Sequence, residues 1–149
     1  GGWQAWLDGV TAKAEGYEHG YRVCTSAAEP AAELYCRGGA LLLGRNLKTG
    51  ETVAKHPRKG FELTLQAAEK GYLPAQAMVG MLYATGKGTP QNIPAATEWW
   101  VKAADAGDGL SALNVSMCYR MGMGAKADKE VAARLTKQAA AFAKSRELW

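Results

Sequence analysis

A single spacing recurs along most of the chain and limits the folds that it can adopt. The pairs Ala67-Ala68, Ala103-Ala104 and Ala139-Ala140 follow one another at intervals of 36 residues. The same interval relates Gly44 to Gly80 and Ser116, Tyr83 to Tyr119, Gly50 to Gly86 and Gly122, and Gly88 to Gly124. Self-similarity with a period of about 20 to 50 residues is typical of solenoids and other repeat arrays. The sequence therefore predicts stacked copies of one structural unit.

The best-preserved unit, residues 74–107, has the pattern of two helices joined by a turn. Two stretches place small or apolar residues on one helical face, first Val79, Gly80 and Tyr83, and then Ala96, Trp99, Trp100, Ala103 and Ala104. The glycines between them favour a helix end, and Asn92 can accept hydrogen bonds from the first amides of the second helix. Each unit is therefore predicted to be a helical hairpin.

The pattern predicts one domain over residues 1–149, with no dividing linker. Helices are expected at about 3–14, 17–29, 31–48, 57–70, 74–85, 92–106, 109–121 and 128–145. A degenerate amino-terminal copy at about 3–29 precedes repeats at about 31–71, 74–107 and 109–145. The degenerate copy rests on a match between residues 20–29 and 60–69, which places Pro30 at the start of a helix. The rival offset of 36 residues would put Pro30 inside a helix.

These landmarks resemble the Sel-one-like repeat (SLR), a relative of the tetratricopeptide repeat. In the best copy the matching residues are Gly80, Tyr83, Gly86, Gly88, Asn92, Ala96, Trp99, Lys102, Ala103, Ala104 and Gly107, with Asn92 in place of the usual Asp. The copy after the best one departs from the pattern at Ser116 and Leu135. The copy before the best one departs from it at Leu47, Thr52 and Leu63. The resemblance implies an all-α, right-handed α-solenoid of about four helix-turn-helix repeats. It also makes Trp99 a core residue and leaves Trp100 as the member of the pair that could be exposed in a ligand-stacking platform, although core packing is the favoured interpretation.

The resemblance implies that the first helix of each repeat lines an extended groove suited to another protein. Carried over from the tetratricopeptide register, the partner-binding positions are Leu41, Arg45, Lys48 and Thr49, then Ala77, Met81, Ala84 and Thr85, and then Leu113, Met117, Arg120 and Met121. Methionines adapt to varied apolar surfaces, whereas arginine and lysine favour an acidic partner. The alternative for the methionines is that they fill gaps in the core.

The net charge of +4 agrees with an acidic protein partner. The densest basic cluster, Lys55 to Lys59, has no interleaved aromatic residues, so we interpret it as a solvated turn and expect no nucleic-acid site there.

The cysteines are candidates for a disulfide. A hairpin centred on Pro30 would bring Cys24 and Cys36 side by side, whereas one continuous helix would hold them about 18 Å apart. The family includes exported members with disulfides between repeat helices, so the resemblance favours this pair. The alternative is two buried thiols in a reduced protein. Cys118 corresponds to Leu82 one period earlier and is expected to be a small core residue.

The spacing of the residues along the sequence does not support a metal site, a catalytic site or a membrane span. His19 and His56 are far apart, and no Cys-x-x-Cys or His-x-x-x-His pair suggests a metal site. No serine carries a neighbouring base, and the Gly-Lys of residues 86–87 fails the spacing of a phosphate-binding loop. No apolar run is long enough to span a bilayer.

We therefore predict a non-enzymatic protein-binding module without a cofactor. The resemblance to bacterial SLR proteins favours an exported immunity protein that binds and neutralises a secreted toxin, such as a phospholipase effector. The alternatives are an envelope assembly or regulatory scaffold and, third, a penicillin-binding or weak lactam-hydrolysing enzyme. The expected location is periplasmic or otherwise exported, with no signal peptide in this chain, and the protein is expected to be monomeric before its partner binds.

Overall fold

The computed structural model describes residues 5, 24, 30–123 and 128–145. Six helices lie in these ranges: α1 Pro30–Leu43, α2 Pro57–Glu69, α3 Leu73–Thr85, α4 Ile93–Asp105, α5 Gly109–Met121 and α6 Lys129–Ser145. The described ranges contain no strand, only an isolated antiparallel bridge between Arg45 and Thr52. None of their helices combines the length and the apolar character that crossing a membrane requires.

The helices form three hairpins that pack in chain order. The pairs α1 with α2, α3 with α4, and α5 with α6 make the hairpins, while α2 against α3 and α4 against α5 join them. The prediction of an all-α solenoid is therefore confirmed for the described part of the chain. The predicted helices at 3–14 and 17–29, and with them the degenerate first copy, lie outside the described residues apart from positions 5 and 24.

One backbone hydrogen bond recurs in every hairpin and fixes the register of the repeat. The amide of Asn92 donates to the carbonyl of Tyr83 over 2.8 Å, and that of Asp128 donates to Tyr119 over 2.7 Å. The equivalent bond in the first hairpin runs from His56 to Leu41 over 3.0 Å. The first helices of hairpins one and two are therefore 42 residues apart, because the loop at 44–56 is six residues longer than the loop at 86–92.

This longer loop corrects two predictions for the first hairpin. The helix expected at 31–48 ends at Leu43, because Gly44 adopts a left-handed backbone with φ of 80°. The Asn46 side chain then accepts from the amides of Lys48 and Thr49 at 2.8 and 3.1 Å, which holds the chain in a turn. Gly44 is consequently the counterpart of the helix-ending Gly86, and the true counterpart of Gly80 is Gly38.

The two helices of each hairpin approach closely at a small residue. A methyl group at Gly38 would lie 2.6 Å from the Thr64 hydroxyl, and one at Gly80 would overlap the indole ring of Trp100. In the third hairpin the Ser116 hydroxyl lies 2.7 Å from that of Thr136 and donates to the carbonyl of Ala132. The second helix thus places residues 64, 100 and 136 at equivalent crossings.

The close approach at Gly80 decides which tryptophan of the pair is the more deeply buried. Trp100 is fully buried against Gly80, whereas Trp99 is only partly buried at the surface. The favoured interpretation of core packing holds for Trp100, whereas Trp99, which the resemblance makes the core residue, packs against the core only at its edge.

A disulfide joins Cys24 and Cys36, whose Cα atoms lie 5.6 Å apart. It ties α1 to a residue that precedes the described stack. In the chain-entropy model a cross-link of this sequence separation contributes about 3 kcal/mol. Cys118 is a buried free thiol, and burial raises its pKa above the usual value, with a smaller opposing effect from a hydrogen bond to Thr97.

Candidate protein-interaction surface

The predicted groove positions of the central hairpin lie inside the fold. Ala77 is 4% exposed, Met81 is 7% exposed and Ala84 is fully buried. They belong to α3, which packs between α2 and α4 and buries residues around most of its circumference. The prediction that these three side chains face a partner is therefore wrong with respect to their exposure. Thr85 is partly buried, and its hydroxyl donates to the carbonyl of Met81 at 2.8 Å.

The predicted positions of the first hairpin are divided between a helix and a loop. Leu41 lies on α1 and is partly buried, whereas Arg45, Lys48 and Thr49 follow the end of that helix. The Lys48 ammonium lies 2.6 Å from the Glu33 carboxylate in an exposed ion pair, which fastens the loop to the start of α1. These three residues consequently do not form one helical face with Leu41.

The third hairpin keeps its predicted positions on an open helix face. Leu113 and Met121 are each 41% exposed, Met117 is partly buried between them, and Arg120 is exposed beside them. Because Leu113, Met117 and Met121 are spaced four residues apart, they form one ridge on α5, here called the α5 stripe.

The structure contains a surface cleft between the first two hairpins that the sequence analysis did not predict. It has a volume of about 520 Å³. Its lining, here called the Trp99 cleft, consists of Leu65, Ala68 and Glu69 from α2, Gln76 and Tyr83 from α3, and Trp99 and Lys102 from α4. Its position depends on which of two adjacent tryptophans turns outward, and the sequence pattern does not settle that choice.

The Trp99 cleft combines apolar walls with charges of both signs. Tyr83 and Trp99 are partly buried, so their rings keep some open surface. The Lys102 ammonium lies 4.3 Å from the centre of the Trp99 ring, a cation–π distance that holds the positive charge at the rim. Glu69 is exposed, and the Gln76 amide donates to the Ala68 carbonyl at 3.3 Å. Such a site suits an apolar anchor flanked by polar contacts.

The basic cluster lies at the start of α2, around a shallow hollow of about 440 Å³. Lys55, His56, Arg58 and Lys59 are all exposed. Their one lining carboxylate, Glu62, is 3.7 Å from Arg58 and 4.0 Å from Lys59. Because these ion pairs are long and exposed, much of the positive charge stays available to attract an acidic surface.

The described residues contain no group of three or more histidine, cysteine or acidic side chains placed to hold a metal ion. Among them, the features that suit a partner are therefore apolar and electrostatic ones, the Trp99 cleft, the basic cluster and the α5 stripe.

A family model described as Sel1 repeat matches residues 39–72, 73–108 and 109–141. No curated protein matches the chain. One similar solved structure is a protective antigen from uropathogenic Escherichia coli strains that displays an SLR fold, with 27% identity and a TM-score of 0.69 over 91% of this chain. Another is a Sel1 repeat protein from Oxalobacter formigenes, with 25% identity and a TM-score of 0.68 over 88% of this chain.

These two relatives are longer, since the matched regions span 25% and 52% of their chains. The Helicobacter pylori cysteine rich protein B is 18% identical over 77% of this chain and 92% of its own, with a TM-score of 0.57, which shows a shared fold.

Proposed function

Because the chain belongs to the Sel1 repeat family, we propose that it is a non-enzymatic module that binds another protein through the Trp99 cleft. Sel1 repeats generally serve in protein–protein interaction. The observation that carries the proposal is the partly exposed Trp99 in an open cleft, since tryptophan and tyrosine in pockets dominate the energetics of protein interfaces. An apolar side chain of the partner would fill the cleft between Tyr83 and Trp99.

The partner is expected to present acidic residues around that apolar anchor. Lys102 stands at the rim of the cleft, and the exposed basic cluster lies at the start of α2, the helix that also carries the cleft residue Leu65. Complementary charge increases the rate of association and excludes basic competitors.

We further propose that the protein is exported by a bacterium and neutralises a secreted toxin as its immunity protein. The Cys24–Cys36 disulfide supports an oxidising compartment, and the structural relatives described above come from bacteria. Neutralisation would work by occlusion, in which the bound protein covers the toxin surface that acts on its target. No catalytic group is required for this role.

The first experiment captures partners from a bacterial envelope extract on immobilised protein and identifies them by mass spectrometry. The parent should retain a protein that the Trp99→Ala variant loses and that Glu98→Ala, an exposed neighbour on α4, keeps. Equal retention by all three proteins would rule out the cleft as the binding site.

The captured partner then decides the biological role. If it is a toxin, an equimolar amount of this protein should abolish its activity, and Trp99→Ala should restore that activity. A partner without toxic activity would refute the immunity role while leaving the protein-binding module intact.

A further inference from the structure

Three of the five methionines of the chain lie at the carboxyl end of α5. Met117 and Met121 are one turn apart on the helix, and Met123 is the second residue after the helix ends. Met121 is 41% exposed, and Met117 and Met123 are partly buried, so all three side chains keep some surface open to solvent. The other two methionines, Met78 and Met81, are 3% and 7% exposed in the core. The accessible three are here called the methionine cluster.

The turn that ends α5 brings Met123 back over the helix. Gly122 adopts a left-handed backbone with φ of 68°, and the amide of Met123 donates to the carbonyl of Cys118 over 3.0 Å. In a helix end of this type, the residue after the glycine lies against the last turn, beside positions 117 and 118. Met117 and Met121 are neighbours on the helix surface, with Cβ atoms about 5–6 Å apart. Because methionine is unbranched and has three rotatable bonds, the three sulfurs can converge on one point.

The second hairpin has the same turn but not the same sulfur atoms. Gly86 is left-handed there, and the amide of Lys87 donates to the carbonyl of Leu82 over 3.2 Å. The positions equivalent to the cluster hold Met81, Thr85 and Lys87, which supply one buried thioether, a hydroxyl and an ammonium group. The turn itself therefore does not require methionine, and the set of three thioethers is particular to the third hairpin.

We propose that the methionine cluster binds Cu(I) through its three thioether sulfurs. Thioether ligands select soft ions such as Cu(I), whereas oxygen ligands suit magnesium and calcium. A thioether forms no disulfide, so it remains a ligand in the oxidising compartment that the Cys24–Cys36 bond favours. The carboxyl end of a helix also carries partial negative charge, which favours a cation. The spacing of histidines and cysteines gives no sign of this site, because its ligands are methionines, and the site shares no residue with the Trp99 cleft.

Cys118 is the other soft ligand in this part of α5 and has to be distinguished from the cluster. It is fully buried, and its thiol makes a hydrogen bond to Thr97 in the core. A metal ion at Cys118 would displace the thiol proton, so its affinity would rise with pH. A thioether has no proton to lose, so affinity at the methionine cluster should stay constant between about pH 6 and 8.

The first test is a titration with silver nitrate in chloride-free buffer, in which Ag(I) serves as a stand-in for Cu(I) that does not change oxidation state. The protein carries ¹³C in its methionine methyl groups, and NMR follows the five signals. One equivalent of Ag(I) should shift the signals of Met117, Met121 and Met123 and leave those of Met78 and Met81 in place. The same titration with Cu(I) in the absence of oxygen should shift the same three signals.

Variants then identify the ligands by calorimetric titration with Ag(I). Met121→Leu and Met123→Leu should each weaken binding about tenfold or more, because each removes one sulfur while keeping a similar volume. Met81→Leu, the matched change one repeat earlier, and Cys118→Ala should bind like the parent, and circular dichroism should show that all four variants are folded. Cluster signals that do not move with either ion, affinities unchanged in the two cluster variants, or binding that is lost in Cys118→Ala would each overturn the proposal.

Discussion

At the residue scale, the stability of the repeat depends on small side chains at the helix crossings. Gly80 shows this most clearly, because a methyl group there would overlap the Trp100 ring. Gly80→Ala should lower the free energy of unfolding by about 1–3 kcal/mol, since the core must be displaced to make room. Urea unfolding monitored by circular dichroism measures the change.

The control for Gly80 is the same substitution in a Trp100→Leu background. A smaller side chain at residue 100 leaves space, so the cost of Gly80→Ala should shrink there, and the double-mutant cycle should give a non-zero coupling energy. Additive costs would mean that Gly80 and Trp100 do not meet at the crossing.

Asp108 is a buried carboxylate with a local structural role. It is 1% exposed, caps α5 and accepts from the amide of Ser111 at 2.9 Å and also from the Ser111 hydroxyl. Asp108→Ala should cost about 1–3 kcal/mol because it removes the cap and a buried acceptor. Asp108→Asn keeps a capping oxygen and should cost less. Thermal melts of the two variants make the comparison, and an equal loss would exclude capping as the main contribution.

At the element scale, each hairpin ends its first helix at a left-handed glycine, namely Gly44, Gly86 or Gly122. Gly86 is the cleanest example, because a methyl group there would meet nothing closer than 3.4 Å. Gly86→Ala should therefore cost about 1–2 kcal/mol from backbone strain alone. Lys87→Ala, next to it on an ordinary backbone, should change the unfolding midpoint little. Similar effects of the two substitutions would contradict the assigned helix end.

The disulfide also constrains a whole element, because it joins Cys36 of α1 to Cys24. Labelling of denatured but unreduced protein with a thiol reagent should find one free cysteine, Cys118. In the native protein Cys118 should react slowly, because it is buried and its raised pKa keeps the thiol protonated. Three labelled thiols in protein made under oxidising conditions would refute the disulfide and weaken the proposal of export.

The helical hairpins could be predicted from the sequence because the glycines, caps and alanine pairs carry local information. The end of α1 could not be predicted from a fixed period of 36 residues, since the six extra loop residues shift this helix without changing the period of the second helices. Gly44 fits that period by coincidence. The orientations of Trp99 and Trp100 could not be predicted either. Adjacent helical residues differ in direction by about 100° around the helix axis, and packing against Gly80 decides which tryptophan is buried.

At the scale of the whole molecule, the exposure of a side chain depends on how the repeats stack. A local sequence pattern does not indicate that stacking. Equivalent groove positions are buried at Ala77 and Met81, whereas Leu113 is exposed and Met117 is only partly buried. The Trp99 cleft likewise needs residues from three helices in two hairpins. The family could therefore be recognised from the spacing of its repeat residues, whereas the Trp99 cleft could be identified only in the folded structure.

The partner interaction should depend on salt, because exposed lysines and arginines attract an acidic surface. Raising the ionic strength should slow association of the parent with its captured partner. Lys102→Glu should weaken binding and reduce this salt dependence, as surface plasmon resonance can show. Binding that is insensitive to salt would point to an apolar interface without acidic complementarity.

The most direct test of the proposed binding surface is an NMR titration of the isotope-labelled protein with the captured partner. We predict that the largest chemical-shift changes fall on Tyr83, the Trp99 indole and Lys102, with smaller changes at the basic cluster. Large changes confined to other surfaces, with the Trp99 indole signal unchanged, would exclude the Trp99 cleft as the binding surface.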